Sequence, residues 1–509
     1  MSLLASALVS GKFLLTGGTT LLSMTGFAAG VGTVLAVGAV AAAAVVTTVA
    51  IVDKLQRKDV LRHNFPILGR LTPLMNWAGK FLRNHIILGD REEQPFNRAQ
   101  RDAVYSFAEH KSNKRAFGST INLRKIGAYF FPNSQFFKEP VKKDVVIGPQ
   151  TKNPYTLRSI FNISAMSYGS ISEPAARALS GGAKEAGILM DTGEGGLAPA
   201  HIEGGGDLVF EIGTAKYGVR DADGNLDMAK LKEIASNDQV KMFSVKLAQG
   251  AKPGEGGRLP GVKVTPEIAA IRGIPVGQDS ESPDHHKDIN SVPELLDFID
   301  KVRTATNKPV GFKATYSRPE DVQELCNEIK KRGLQSAPDF IILDGGEGGS
   351  GAATQTLMDS VGMSIRESLP MVKQVLIDNK MHNRIRIGAS GKLILPEDVA
   401  WAMAMGADFV NSARGFLLSM GCVMAMRCNS DTCPMGLTTN NKNLQKGFNP
   451  ASKSVRVANY AAGVIADVEK IAHSCGVSNP RDLRPENVNM VTANGKSVSM
   501  KKLYPRLKF

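Results

Sequence analysis

The stretch FIILDGGEGGSGAA, residues 340–353, decides the fold. Its first four residues are apolar, too few for a helix but right for a strand buried on both faces. The chain then runs straight into glycine, with Asp344 and Glu347 the only charges in the stretch. In parallel sheets, loops of this kind bring backbone to a ligand at the C-terminal ends of the strands. The same pattern recurs in both directions along the chain. Apolar or β-branched runs stand at Ile160–Ala165, Ile188–Asp191, Leu208–Ile212, Met242–Leu247, Val310–Thr315, Phe340–Leu343, Ile385–Gly388 and Asp408–Asn411. Helical stretches separate them, among them Glu173–Ala186, Val292–Thr304 with Ser291 as its cap, Pro319–Lys331 and Pro396–Met405. Eight strands alternating with helices predict a closed parallel (β/α)8 TIM barrel, with the active site at the strands' C-terminal ends.

The loops expected there are SYGS, DTGEGG, KPGEGG, DGGEGGSGAA and ASGK. Glycine lets a backbone approach a ligand and point N–H groups at anions. Barrel phosphate sites favour the loops after strands 7 and 8, here Gly388–Lys392 and Ser412–Gly415. A flavin mononucleotide (FMN) phosphate would fit both; ordinary tight turns are the alternative. Lys246 and Lys313 lie in or at the end of strands 4 and 5. A lysine at the barrel mouth is costly to desolvate without an anion nearby. Reduced flavin, negative around N1 and O2, would supply one, and a dicarboxylate substrate would serve equally. Glu194 and Glu255 sit on glycine-rich loops, where either could move protons or grip an ammonium group. The adjacent pair His285–His286 does not share a face, so no metal is assigned to it.

Near the C-terminal end stands GCVMAMRCNSDTCPMG, residues 421–436. Three of the chain's five cysteines, Cys422, Cys428 and Cys433, fall in it, separated by five and then four residues. Thiolates at short spacings, closed by Cys-Pro, suit an iron–sulfur cluster. Three ligands imply a three-iron cluster or a four-iron cluster with one open iron; three buried thiols are the alternative. The cysteine usage points to a reducing compartment rather than a disulfide framework.

No charged residue occurs between Lys12 and Asp53, and Gly26–Val52 is continuously apolar or small. About 20 such residues cross a bilayer as a helix. Lys54, Arg57, Lys58 and Arg62 come directly after it, which by the positive-inside rule places the rest of the chain on the cytoplasmic side of a single span. A buried hydrophobic hairpin within a homo-oligomer is the other reading of this segment. The expected organisation is an apolar segment at 1–25, a transmembrane helix at 26–52, a basic connector packing on the barrel at 53–150, the barrel with its cysteine loop at 151–475, and a tail at 476–509. The net charge of +14 comes with no basic–aromatic repeat, so it indicates a membrane surface or anionic ligands rather than nucleic acid.

Taken together, ISAMSYGSISEPA, DTGEGG, LAQGAKPGEGGRLPGVKV, SPDHHKDINSVPELLDFI, GFKATYS and the GC…C…CPMGLTT run resemble the FMN-binding domain of glutamate synthases, colinearly over roughly residues 140–475. PFNRAQRDAVY and DGGEGGSGAA look more like stand-alone, membrane-tethered members. Where the large multidomain enzymes carry His-Asp-Gly-Gly-Thr-Gly-Ala, this chain has Gly346 and Glu347 in place of the His and Asp. Asn429 stands where the family usually has His.

The resemblance implies FMN at the barrel mouth and a [3Fe-4S] cluster beside it. Carried over by position, Ala165, Met166 and Ser167 lie under the flavin ring, Lys313 stands near N1 and O2, and Ser390, Gly391, Ala413 and Arg414 hold the phosphate. Cys422, Cys428 and Cys433 bind iron. Lys246, Gln249 and Glu255 are the substrate-side candidates. Lys313, Lys246 and Glu255 form the expected catalytic set, and Gln249 is counted with the cofactor-binding residues.

The expected activity is reduction of an imino acid, formed from 2-oxoglutarate and ammonia or an amine, to L-glutamate or a related amino acid. Electrons would come from a ferredoxin or a reductase subunit. No cysteine precedes Cys326, and no G-x-G-x-x-G fingerprint comes after a strand, so neither a glutaminase nor a dinucleotide domain is expected. Two alternatives stay open: an amino-acid or hydroxy-acid dehydrogenase passing electrons to a membrane acceptor, and a non-catalytic redox sensor.

Overall fold

The computed structural model describes residues 20–75, 89, 91–112 and 114–509. Eight strands form the barrel: β1 Phe161–Ile163, β2 Leu189–Asp191, β3 Asp207–Ile212, β4 Val240–Lys246, β5 Val310–Ala314, β6 Phe340–Asp344, β7 Arg386–Ser390 and β8 Phe409–Ser412. Neighbours run β5-β6-β7-β8-β1-β2-β3-β4, all parallel, with β4 closing on β5. Each lies within two residues of its expected position, and the fold is a TIM barrel. The helices used below are α1 Thr20–Leu55, α2 Arg98–Ala108, α3 Glu173–Ala186, α4 Ile365–Asp378, α5 Arg414–Ser419 and α6 Pro450–Ser474.

Local chemistry explains why the elements start and stop where they do. Helix α3 opens because Ser172 Oγ accepts from Ala175 N, with Pro174 in the first turn, and closes on Gly187 in the left-handed conformation. Strands β5 and β6 are buried at every residue, as expected of strands covered on both faces. Leu189, Val209, Met242, Phe340, Ile342 and Phe409 fill the barrel's interior. The antiparallel pair Val145–Ile147 and Tyr155–Leu157 joins this core and plugs one end, where Tyr155 Oη donates to Asp207 Oδ2 at the start of β3. Outside, Phe161, Phe416 and Tyr460 lock β1 to α5 and α6, with ring centroids 5.1–5.5 Å apart. Each such aromatic contact adds about 0.5–1.5 kcal/mol beyond its buried area.

The connector packs on the barrel. Phe96, Val104 and Ala108 are buried, and Asn459 Nδ2 on α6 donates to Ala108 O at the end of α2. The tail closes back on the connector: Asn489–Val491 pairs with both Tyr129–Phe130 and Ser497–Ser499. Helix α1 is long and apolar enough over Gly38–Leu55 to cross a membrane. It starts earlier than the expected span, at Thr20. Its C-terminal end is fastened to the connector, where Arg70 Nη2 pairs with the buried Asp53 at 2.8 Å. The expected N-terminal segment lies outside the described residues up to residue 19.

Candidate active site at the barrel mouth

Strand register sets the site. Lys313 of β5 lies opposite Lys246 of β4, so the two ammonium groups share the barrel mouth. Neither stands alone. Lys246 Nζ donates to Glu194 Oε1 at 2.6 Å, and Lys313 Nζ lies 3.7 Å from Glu211 Oε2. Asp191 and Asp344 end β2 and β6 and are also buried. Four carboxylates therefore converge on two lysines. Burial alone would lower the Lys313 pKa, but Glu211 first, then Asp344, Asp191 and Glu194, outweigh it and hold it above the ordinary lysine value. Burial raises Asp191, with Glu211's charge adding to the effect, and burial raises Glu211 against the pull of Lys313 and Lys246. Glu194 goes the other way: burial would raise it, but the charge and hydrogen bond of Lys246 hold it below 4.5.

This pairing has a testable consequence. Glu194→Gln leaves Lys246 buried without its counter-ion, and breaking a buried pair from one side costs about 3–5 kcal/mol. Because Glu194 titrates below its unfolded value, its contribution is complete above about pH 4.5 and is lost as pH falls through the depressed value. Denaturant unfolding should therefore show a large gap between wild type and variant at pH 7 that narrows in acid. Equal stability at pH 7 would refute the pairing's role.

The glycine-rich loops do two different jobs. A Cβ on Gly250 would collide with Gly345 O, so the loops after β4 and β6 lie backbone against backbone. Side chains lace them further: Gly250 N donates to Asp344 Oδ2 at 2.7 Å, Gln249 Nε2 to Gly349 O at 3.4 Å and Lys252 Nζ to Ala352 O at 3.0 Å. Glycine here serves loop-to-loop packing rather than anion binding. Gly391, after β7, has φ +126° in a loop that borders the pocket.

Most of the expected site residues meet in one pocket at the barrel mouth. Ala165, Ser167, Lys246, Gln249, Lys313, Ser390, Gly391, Ala413 and Arg414 line it. Met166 borders a larger, solvent-open cavity next to it. Glu255 lines neither; it accepts from Thr354 Oγ1 at 3.1 Å and so fastens one loop to another. Glu347 borders the larger cavity rather than the pocket, and its carboxylate is engaged at the start of α4: Ser364 Oγ donates to Oε1 at 2.8 Å and Ile365 N to Oε2 at 3.0 Å. Its carbonyl accepts from Arg414 Nη2 at 2.6 Å, and the Arg414 guanidinium lies 4.8 Å over the Phe96 ring. The histidine pair divides: His285 is exposed beside Asp284, and His286 is buried with Nε2 against Lys246 O.

Both groups implied by the resemblance can be tested against these residues. FMN fits: a cationic side bordered by Arg414 and Gly391 and a lysine side bordered by Lys313 occupy one continuous pocket, and Asn411 Oδ1, buried at its wall, has no hydrogen-bond partner. An iron–sulfur cluster fits the donor set. All three cysteines are free thiols bordering the larger cavity, and Ala165, Ser167, Gln249 and Arg414 border both cavities. Among the described residues no three ligands stand close enough together to hold a single metal ion. The backbone around Cys428 is strained, with Met424, Met426 and Asp431 all at φ between 50° and 57°. Such strain persists where surroundings hold it, often at ligand clamps.

Five residues at the site were not singled out from the sequence: Asp191, Glu211, Asp344, Asn411 and Phe96. Glu211 carried a usable signal, a lone charge inside the apolar run LVFEI. Phe96 carried none, because it arrives from the connector.

Comparison with known proteins agrees with this architecture. Residues 120–478 match the model of a conserved region in glutamate synthase. The chain is 36% identical over 493 residues to a glutamate synthase large subunit-like protein, YerD, of Bacillus subtilis, covering 89% of this chain and 93% of that one. It is 32% identical over 326 residues to an archaeal glutamate synthase [NADPH] of Methanocaldococcus jannaschii, covering 63% of this chain and 60% of that one. The recombinant flavin-binding domain of baker's yeast flavocytochrome b2 superposes with a TM-score of 0.45 at 13% identity, covering 81% and 84% of the two chains, too distant to bear on the site. With a matched region that takes in the whole barrel and the cysteine loop, this chain belongs to the glutamate synthase family.

Proposed function

We propose that this chain is a membrane-anchored glutamate synthase-type oxidoreductase that reduces an imino acid, made from 2-oxoglutarate and ammonia or an amine, to L-glutamate or a close relative. The observation that carries it is the shared wall between the lysine-lined pocket and the cavity bordered by the three cysteines. Two redox groups placed either side of that wall would be near neighbours. FMN, when bound, supplies hydride transfer, and an iron–sulfur cluster supplies single electrons.

The chain's own residues supply the rest. Ser390, Gly391, Ala413 and Arg414 would bind the phosphate, and Cys422, Cys428 and Cys433 the iron. Lys313, itself buried, would hold a positive charge where negative charge would develop on the ring. Lys246 and Glu194 form a hydrogen-bonded acid–base pair at the mouth, poised to orient a substrate carboxylate or pass a proton. The interlocked loops after β4 and β6 would border the substrate's approach and fix its direction. Electrons would come from a ferredoxin or a reductase subunit, and α1 would hold the barrel on the cytoplasmic side of a membrane.

One observation favours a second reading. The segment after α1 touches the cysteine loop directly, with Asn64 Nδ2 donating to Pro434 O at 3.0 Å. A dehydrogenase passing electrons to a membrane acceptor would use that proximity. Anaerobic purification from detergent, then titration, separates the two. The expected result is a yellow-brown protein, recovered from carbonate-washed membranes, whose reduced flavin is reoxidised by 2-oxoglutarate with ammonium. Flavin reduction by L-glutamate without reoxidation by the keto acid would favour the dehydrogenase. A colourless, iron-free protein would refute both, and recovery in the soluble fraction would refute the anchor.

A further inference from the structure

Lys263 is a buried cation with an unusual set of partners. It is 1% exposed, and Nζ donates to Ser170 O at 2.8 Å, Thr438 O at 3.0 Å and Cys428 O at 3.2 Å. Three acceptors around one nitrogen require three N–H bonds, which only the ammonium form carries. None of the three is a carboxylate, and carbonyl dipoles alone compensate a buried charge poorly. The acidic side chains facing it are Asp431, Cys428 and Cys433, and the cation Arg272 faces it as well. Asp431 is already engaged, its Oδ1 accepting from Asn440 N at 2.6 Å and Thr439 Oγ1 at 3.1 Å.

The same loop is held at two other points. Tyr105 Oη donates to Cys422 O at 2.7 Å, and Asn64 Nδ2 donates to Pro434 O, next to Cys433. Each cysteine thus has one side-chain donor on its own or the next carbonyl. The three donors come from widely separated stretches, and two of them precede residue 120, where the matched region begins. Of the three, Lys263 alone brings charge.

We propose that Lys263 is the positioning residue and counter-charge of the cysteine site. Its ammonium moors the Cys428 turn through three carbonyls. It also offsets the negative charge of a cluster held by three thiolates, which favours the one-electron-reduced form. The electrostatic half rests on the iron–sulfur reading above; the mooring half rests on the hydrogen bonds alone.

Lys263→Met and Lys263→Arg in the full-length, detergent-purified protein test both halves. In Lys263→Met, amide hydrogen exchange over residues 426–440 should be at least tenfold faster, with β6 exchanging as in wild type. The midpoint potential of the cluster's spectroscopic signal should shift to a more negative value. Lys263→Arg should restore both towards wild type. Should the Met variant not be recovered folded, Lys263→Gln, shorter and neutral, gives the same two comparisons. Wild-type exchange in the neutral variant would overturn the mooring, and an unshifted potential in it would overturn the counter-charge. Wild-type protein without iron or acid-labile sulfide would refute the iron–sulfur reading and the counter-charge together, while the exchange measurement would still decide the mooring.

Discussion

Lys313→Met is expected to cut turnover by at least about 100-fold, the scale of losing one preorganised electrostatic group at a reacting centre. The loss should fall mainly on kcat, because the charge acts where negative charge develops rather than on the ground-state substrate. Stability should suffer as well. Lys313 is the cation that answers Glu211, with Asp344, Asp191 and Glu194 close by. Without it these buried carboxylates must bind protons to remain buried. A carboxyl group whose folded pKa lies above its unfolded one stabilises the fold at low pH and loses that contribution as pH rises through the folded value. The variant should therefore unfold at a lower temperature than wild type near neutral pH and recover part of the difference as pH is lowered towards the ordinary carboxylate range. Steady-state kinetics and thermal unfolding across pH would check both. Wild-type kcat would remove Lys313 from the chemistry, and a pH-independent stability gap would contradict the carboxylate account.

Cys433→Ala should empty the cysteine site. Cys433 is the most buried of the three and lies beside the Pro434 carbonyl that Asn64 holds. Burial pushes the Cys422 thiol up to about 12 and raises Cys428 as well, so as free thiols both favour the protonated form. Iron binding needs thiolates, and each of three ligands then contributes to overcoming that preference. Iron and acid-labile sulfide should fall to background in Cys433→Ala. Cys326→Ala, which removes a buried thiol from the helix Pro319–Arg332, should keep them. Flavin absorbance should survive in both. Retention of full iron content by Cys433→Ala would refute its role as a ligand.

The barrel was legible because each strand is a short apolar run bounded by turn chemistry, and several helices carry their own end signals. Glu173–Ala186 was readable to the residue because Ser172, Pro174 and Gly187 are all local signals. The lysines were legible for the opposite reason, as charges where a buried strand should have none. What was not legible depends on closure. Nothing near Lys246 in the chain says that Glu194 will meet it, since the pair forms only when β4 and the loop after β2 come together. The glycine-rich loops after β4 and β6 were read as ligand-facing, yet Gly250, just ahead of KPGEGG, meets Gly345 of DGGEGG across the mouth, a contact 95 residues apart in sequence. The position of Glu255 has the same cause: once the two loops interlock, its carboxylate is drawn to Thr354 and away from the pocket.

The Phe96 ring under Arg414 and the Asn64 and Tyr105 bonds to the cysteine loop bear on how a water-soluble version should be cut. Starting at residue 120, where the matched conserved region begins, would strip a ring from beneath Arg414 and release two of the three tethers on the cysteine loop. A start at Asp53 sheds nearly all of the apolar helix yet keeps the Arg70 clasp and everything downstream of it. A truncated chain that keeps all these contacts is thus longer than the conserved region by nearly seventy residues at its front.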